Sequence, residues 1–211
     1  MCKIIGNGML AKEMHHICAD VTIFASGVSN SQFTYNNNWS EFEREYNLFR
    51  DTEKDKKLIY FSTVTVHQKQ STHYICHKKL MESLIRNICP HLILRLPNLI
   101  GPNQNASQLM PALVEQILDG EVTVQRGAKR CILDVADLPK ITSKLLSEEK
   151  NGTFDIFGRP ILLEDLVHQI ADFLGLKPKI NFITPIEYPD LEITIDLDDD
   201  YYPRIIKKYI I

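Results

Sequence analysis

The chain has 211 residues, 44% of them hydrophobic and 24% charged, with a formal net charge of −3. That length suits one domain with at most a small appended lobe, and the mildly acidic balance argues against a nucleic-acid surface. No apolar run approaches the roughly 18 residues needed to cross a bilayer, and the start (Met1-Cys2-Lys3-Ile4-Ile5-Gly6) reads into a buried strand rather than a signal peptide, so no membrane partner is expected.

Short apolar strands alternate with amphipathic stretches. Residues 3–5 predict a strand ending at Gly6-Asn7-Gly8, and residues 10–18 a helix. Residues 21–25 are rich in β-branched side chains and predict a second buried strand. The polar stretch 26–38 reads as a loop. Ser40, with Glu43 three residues on, predicts a capping box opening a helix over 40–51. Strand 57–62, helix 74–89 stopped by Pro90, and strand 92–96 follow. Beyond them come helix 107–119, strand 122–125, helix 137–146, strand 153–157, helix 163–174 closed by Gly175, and strand 179–182. The acidic run 196–200 and the basic tail after Tyr201-Tyr202-Pro203 read as a solvated terminus. This alternation predicts an α/β fold, a parallel sheet with helices on both faces. Five cysteines at 2, 18, 76, 89 and 131 form no CxxC, which argues against a disulfide framework or zinc site and for a reducing, cytoplasmic setting. His15-His16 has no third ligand at metal spacing, so no metal is expected.

Gly6-Asn7-Gly8-Met9-Leu10-Ala11 fits G-x-G-x-x-A between a strand and a helix. Such a turn lets backbone amides approach a pyrophosphate at a helix start. Gly6, Gly8, Met9 and Leu10 are therefore candidate cofactor contacts. The acidic residue that usually ends the second strand and holds the adenosine ribose is missing: that strand ends Phe24-Ala25-Ser26, and Asp20 precedes it.

A third constellation carries chemistry. The strand over 57–62 runs into Ser62-Thr63, and Tyr74 and Lys78 share one helix face at i, i+4. A nearby ammonium favours phenolate, so the Tyr74 phenol can exchange a proton with a carbinol oxygen near neutral pH. A hydroxyl at Thr63 can hydrogen-bond the same oxygen. His67, His73 and His77 flank the pair and read as surface residues, with His77 turned away.

These blocks together resemble the extended short-chain dehydrogenase/reductases, the NAD-dependent epimerase/dehydratase group acting on nucleotide sugars. Asp20-Val21-Thr22-Ile23-Phe24-Ala25 resembles the strand leading to the nicotinamide side, and Ser62-Thr63 with Tyr74 and Lys78 matches the catalytic set. Arg95-Leu96-Pro97-Asn98-Leu99-Ile100-Gly101-Pro102 resembles the R-x-x-N-x-x-G-P block, and Arg130-Cys131-Ile132-Leu133-Asp134-Val135-Ala136-Asp137 the R-D-F-I-H-V-x-D block. The resemblance implies a Rossmann-like doubly wound sheet with NAD or NADP as cofactor. Thr63, Tyr74 and Lys78 are then catalytic; Ala25, Ser26 and Lys78 join the glycine loop as cofactor contacts; Ser62, Asn98 and Arg130 contact a nucleotide sugar. A single domain is implied, with a cofactor core over residues 1–98 and a substrate lobe over 99–211. A homodimer is implied too, through the helices at 40–51 and 74–89, where Leu80, Leu84 and Ile88 offer an apolar stripe.

The family usually carries two more β-α units before the strand at Val21. Their loss removes the ribose acceptor. It leaves three outcomes open: a cofactor with an exposed adenine, a pocket completed by a partner, or a non-catalytic protein that kept the fold. Val64-Thr65 after Thr63 stand where dehydratases carry an Asp-Glu pair, and Asn103 stands where some epimerising reductases carry a His after the Gly-Pro. The expected reaction is therefore reduction of a keto group on a nucleotide-activated, 6-deoxy sugar in surface-polysaccharide biosynthesis, with 4-epimerisation as the alternative.

Overall fold

The computed structural model describes residues 2–106, 108–184 and 191–210. The elements in chain order are β1 (Lys3–Ile5), α1 (Met9–Glu13), β2 (Val21–Phe24), α2 (Tyr35–Arg50), β3 (Lys57–Thr63), α3 (His73–Ile88), β4 (His91–Leu96), β5 (Asn98–Ile100), α4 (Leu109–Leu118), β6 (Glu121–Gln125), β7 (Lys129–Arg130), β8 (Ile132–Asp134), α5 (Leu138–Ser147), β9 (Gly152–Asp155), β10 (Ile161–Leu162), α6 (Leu163–Leu174), β11 (Lys179–Ile183) and α7 (Tyr201–Tyr209). Ser107, expected to open α4, lies outside the described residues. None of the described helices is long and apolar enough to cross a membrane.

The chain forms two units, one of Met1–Leu96 with Val135–Ile156, the other of Pro97–Asp134 with Phe157–Ile211. In the first, five parallel strands lie in the order β1-β2-β3-β4-β9. This is the expected Rossmann-like parallel sheet. Its order never reverses, because β2 pairs directly with β1 where a full dinucleotide fold continues past its first strand. All four residues of β2 are buried, the near-continuous apolar run of a parallel strand covered on both faces. Leu58 and Tyr60 face α2 and α3 in a core with Phe24, Phe49, Met81, Ile85 and Ile93. The alternate residues Ile59 and Phe61 are buried as well, so the other face is also covered.

Two helix starts carry side-chain caps. Thr72 Oγ1 accepts the Ile75 N–H at 3.2 Å and opens α3. Thr34 Oγ1 accepts the Asn37 N–H at 3.3 Å, while Asn38 Oδ1 accepts the Thr34 N–H at 3.2 Å. The expected capping box at Ser40 is thereby corrected: α2 starts five residues earlier, and Asn38 (φ −135°, ψ 27°) kinks it just before Trp39. The local Thr34–Asn38 exchange supplies the partners that a Ser40 cap would have supplied.

Among the described residues, the second unit holds three two-stranded pairs, β5 with β8, β7 with β10 and β6 with β11. Gly175 closes α6 in the left-handed conformation (φ 69°). The C-terminal stretch is not a solvated tail. Thr194 N–H donates to Phe157 O at 2.8 Å, and Leu197 packs on Gly158, where a side chain would have no room. Tyr201, Tyr202, Ile205 and Ile206 then bury one face of α7. That helix grips Asp134: Tyr201 Oη accepts its N–H at 2.8 Å, and its carboxylate accepts from Lys208 at 2.8 Å and Tyr209 at 2.7 Å. The composition hid this because the apolar face comprises only four residues spaced i, i+1, i+4, i+5 among charges.

Ile205→Ala should lower stability by about 3 kcal/mol in chemical denaturation, against less than about 0.5 kcal/mol for exposed Lys207→Ala. Equal, small effects would return the segment to a solvated tail.

Candidate active site

The glycine loop closes onto the end of β2. Gly6 adopts φ +128°, and a Cβ there would lie 2.5 Å from the Ala25 carbonyl oxygen, so only glycine fits. Ala25 N–H in turn donates to Ile5 O at 2.8 Å. Gly8 has nothing within 4 Å of where a Cβ would stand, which leaves the start of α1, with Met9 and Leu10, open to approach. The loop after β2 is held from α2. Arg44 Nη1 donates to Ser26 O (3.0 Å) and Ser26 Oγ (2.8 Å), and Glu45 Oε2 accepts the Val28 N–H at 2.6 Å.

Glu45 is the centre of the unit's polar interior. It is fully buried. Besides Val28 it accepts from Tyr60 Oη (2.6 Å) and Lys78 Nζ (3.4 Å) on Oε1, and it meets His77 Nε2 (3.0 Å) on Oε2. Burial alone would raise its carboxyl, but the Lys78 charge and the His77 and Tyr60 hydrogen bonds outweigh that and lower it to about 2. Burial, reinforced by the Glu45 charge, pushes the Tyr60 phenol well up. His77 is therefore an interior residue and not a surface one; its ring also packs edge-on to Phe42 at 4.8 Å.

Lys78 is 2% exposed. Its ammonium donates to Tyr60 Oη at 3.0 Å and Phe61 O at 3.4 Å, and a Cβ on Gly27 would come within 2.7 Å of it. Tyr74 is buried with Val28, Phe42 and Ile75, near enough to Tyr60 for the charge states of the two phenols to interact. Thr63 ends β3, its hydroxyl 2.9 Å from Thr65 Oγ1. Ser62, its neighbour, points the other way along the pleat and donates to Glu82 Oε1 at 2.6 Å. Glu82 is fully buried and also receives Arg95 Nε (2.9 Å), Arg95 Nη2 (2.7 Å) and Arg86 Nη1 (3.1 Å). Burial would raise the Glu82 carboxyl; Arg95 and Ser62 hold it below its ordinary value. His67 and Asp155 extend the network at 2.9 Å, with Arg95 Nη1 at 3.2 Å from His67.

In the second unit, Asn98 lies on β5 and Arg130 on β7. Asn98 pairs with Ile132, and its Nδ2 lies 3.5 Å from Cys131 O. Arg130 donates to Lys129 O (2.8 Å) and Gln125 Oε1 (3.2 Å).

A family profile described as the NAD dependent epimerase/dehydratase family matches residues 47–157, more than half of the chain and the stretch holding Thr63, Tyr74, Lys78, Asn98 and Arg130. The chain belongs to that family. Among curated proteins none matches in sequence. Solved structures do match in fold. A UDP-N-acetylglucosamine 4-epimerase from Methanobrevibacter ruminantium, in complex with UDP-N-acetylmuramic acid, is 16% identical with a TM-score of 0.70, over 90% of this chain and 76% of that one. A dTDP-4-dehydrorhamnose reductase from Clostridium acetobutylicum is 15% identical with a TM-score of 0.70, over 89% and 85%. A UDP-glucuronic acid 4-epimerase from Bacillus cereus, in complex with UDP-glucuronic acid and NAD, is 19% identical with a TM-score of 0.63, over 96% and 80%.

The family's cofactor is NAD(P), and the residues fit one half of it. The open start of α1 at Gly8 suits a pyrophosphate, and the Lys78 ammonium beneath Gly27 suits the nicotinamide end. No carboxylate stands at the end of β2 for the adenosine ribose.

Glu82 generates a pH prediction. A carboxyl lowered on folding stabilises fully above its unfolded pKa of about 4.3 and loses that contribution as pH falls through the folded value. Glu82→Gln should cost roughly 2–3 kcal/mol at pH 7 and flatten the acid limb of the stability curve below about pH 4.3. An unchanged acid limb, measured by thermal melts across that window, would show that Glu82 is not one of the groups behind it.

Proposed function

We propose that the protein catalyses NAD(P)-dependent reduction of a keto group on a nucleotide-activated, 6-deoxy sugar. The observation that carries this reading is Lys78, an ammonium buried at the carboxyl end of the sheet on the helix that also carries Tyr74. When bound, the cofactor supplies hydride. Gly6, Gly8, Met9, Leu10, Ala25, Ser26 and Lys78 are the residues that hold it. Tyr74 donates the proton to the carbonyl oxygen as that oxygen gains charge, and Thr63 hydrogen-bonds the same oxygen. Lys78 stabilises the phenolate left behind. Asn98 and Arg130 are the sugar-nucleotide contacts, Arg130 as the diphosphate cation. Ser62 gives its proton to Glu82, which leaves only the acceptor side of its hydroxyl for substrate.

The same Tyr74 and cofactor suffice for a 4-epimerase, the activity in the names of two of the structures above. Reduction is favoured because the acid–base residues of the longer reactions are missing. Val64 and Thr65 follow Thr63, and Asn103, exposed in a left-handed turn (φ 56°), occupies the position after Gly101-Pro102. The adenosine end, lacking its acceptor, leaves NAD and NADP on an equal footing, and the place of the reaction is surface-polysaccharide biosynthesis in the cytoplasm.

A homodimer through α2 and α3 is part of the proposal. Leu80 and Ile88 are half-exposed on α3, as are Trp39 and Tyr46 on α2, while Leu84 packs inward against the core.

Purified protein should quench or enhance NADH or NADPH fluorescence on binding. Tyr74→Phe should keep that binding while turnover of a 4-keto-6-deoxy nucleotide sugar falls at least about a hundredfold, the usual contribution of a positioned acid. Loss of binding and turnover together, or no binding by wild type, would remove the reading. Sedimentation should give about twice the chain's 24.3 kDa; a monomer would remove the dimer.

A further inference from the structure

Three elements that carry proposed site residues meet, through four side-chain or backbone groups, on one carboxylate. The loop after β2 offers the Val28 N–H, β3 offers the Tyr60 hydroxyl, α3 offers His77 and Lys78, and all four converge on Glu45 of α2 at 2.6–3.4 Å. Glu45 has no solvent exposure, and Lys78 has almost none. A buried lone ammonium is costly, and so is a buried lone carboxylate, whereas together they are tolerated. Gly27 seals the arrangement, since any Cβ there would strike the Lys78 ammonium and the Glu45 carboxylate.

We propose that Glu45 is the positioning residue of this site: it fixes where the Lys78 ammonium sits and cancels its charge, so that the pair, and not the lysine alone, governs the acidity of Tyr74. The proposal rests on reading Tyr74 and Lys78 as the proton-transfer pair. Its physical content is electrostatic. An unpaired ammonium beside Tyr74 favours phenolate strongly; an ammonium shared with a carboxylate does so weakly, because the carboxylate opposes the phenolate. The titratable and charged groups that face the Tyr60 phenol are Glu45 from α2 and Tyr74, Lys78 and Glu82 from α3, and Tyr35 of α2 packs on the cluster that holds Tyr74; residues 25–28 of the loop add no charge. Glu45 and Lys78 are the opposite charges that meet at the Tyr60 hydroxyl, at 2.6 and 3.0 Å, and lie 3.4 Å from each other. The arrangement also ties the loop carrying Ser26 and Gly27 to the helix carrying Tyr74, so that shortening residue 45 moves the cofactor-side loop.

The test compares wild type, Glu45→Gln, Glu45→Asp and Glu45→Gln/Lys78→Met. Tyr74 ionisation is read as the tyrosinate absorbance lost on adding Tyr74→Phe to each background. Glu45→Gln keeps the shape and removes the charge, so the Tyr74 midpoint should fall by about one pH unit, a tenfold change in phenolate fraction. Glu45→Asp keeps the charge, so the midpoint should stay while NADH binding, followed by fluorescence, weakens several-fold. A folded Glu45→Gln with an unmoved midpoint overturns the proposal. Where Glu45→Gln does not fold, the double variant, which removes both charges, should restore a cooperative melt; failure of the double variant to melt better than Glu45→Gln overturns the proposal equally. A wild type that binds no NADH, yet shows the midpoint shift, sinks the enzymatic reading and leaves the charge pairing of Glu45 and Lys78 standing.

Discussion

A carboxylate with no water around it must be surrounded by donors, and the first unit is arranged to meet that demand at Glu45. Its two oxygens take hydrogen bonds from a loop amide, a phenol and an ammonium, and meet an imidazole. Each contact comes from a segment far away in sequence, so the four segments cannot move independently without stranding a charge. The loop after β2 has no regular structure; Arg44 and Glu45, successive residues on α2, hold it in place. The proposed chemistry inherits its geometry from this constraint, since the Lys78 ammonium is placed by groups that do not touch substrate.

A second carboxylate, Glu82, repeats the logic one turn further along α3. It fastens Ser62 on β3 to Arg95 on β4, the strands that flank the proposed substrate side, and extends through Asp155 and His67. The two clusters divide the polar interior between them. Glu45 serves the proposed cofactor side, and Glu82 ties the sheet's carboxyl edge together. Both lie on the face of β3 that carries Tyr60 and Ser62, leaving the Thr63 hydroxyl to the opposite side of the pleat.

Sequence spacing was sufficient for the strands of the sheet, for the glycine turn and for the helix that carries Tyr74 and Lys78, because a two-residue and a 3.6-residue period are local properties. It was insufficient for Glu45 and Glu82. Glu45 sits among Glu41, Glu43 and Arg44, which reads as a solvated helix face. The signal that identifies it is its spacing from Phe42 and Phe49, which puts it on the buried stripe of α2. Ile75, Lys78, Glu82 and Ile85 repeat the pattern on α3. A charged residue inside an apolar stripe is the mark of an interior ion pair, but its partner lies on another element and cannot be found from one helix alone. The cap of α2 failed for a related reason, because Thr34 and Asn38 satisfy each other. The packing of α7 escaped because its few apolar residues are diluted by charge.

The monotonic strand order leaves β1 at the margin of the sheet, paired on one side only. Every other strand of that sheet is bonded in a register that depends on its two neighbours or, for β9, on β4. The stretch between α1 and β2 is therefore a place where whole β-α units can be spliced in or out while all existing strand pairs stay as they are. A sheet built this way can grow or shrink at one end over evolutionary time without repacking its core. In protein engineering, the same junction is where a ribose-binding unit borrowed from a longer relative could be grafted, adding strands outward from β1 as an extension of an intact sheet.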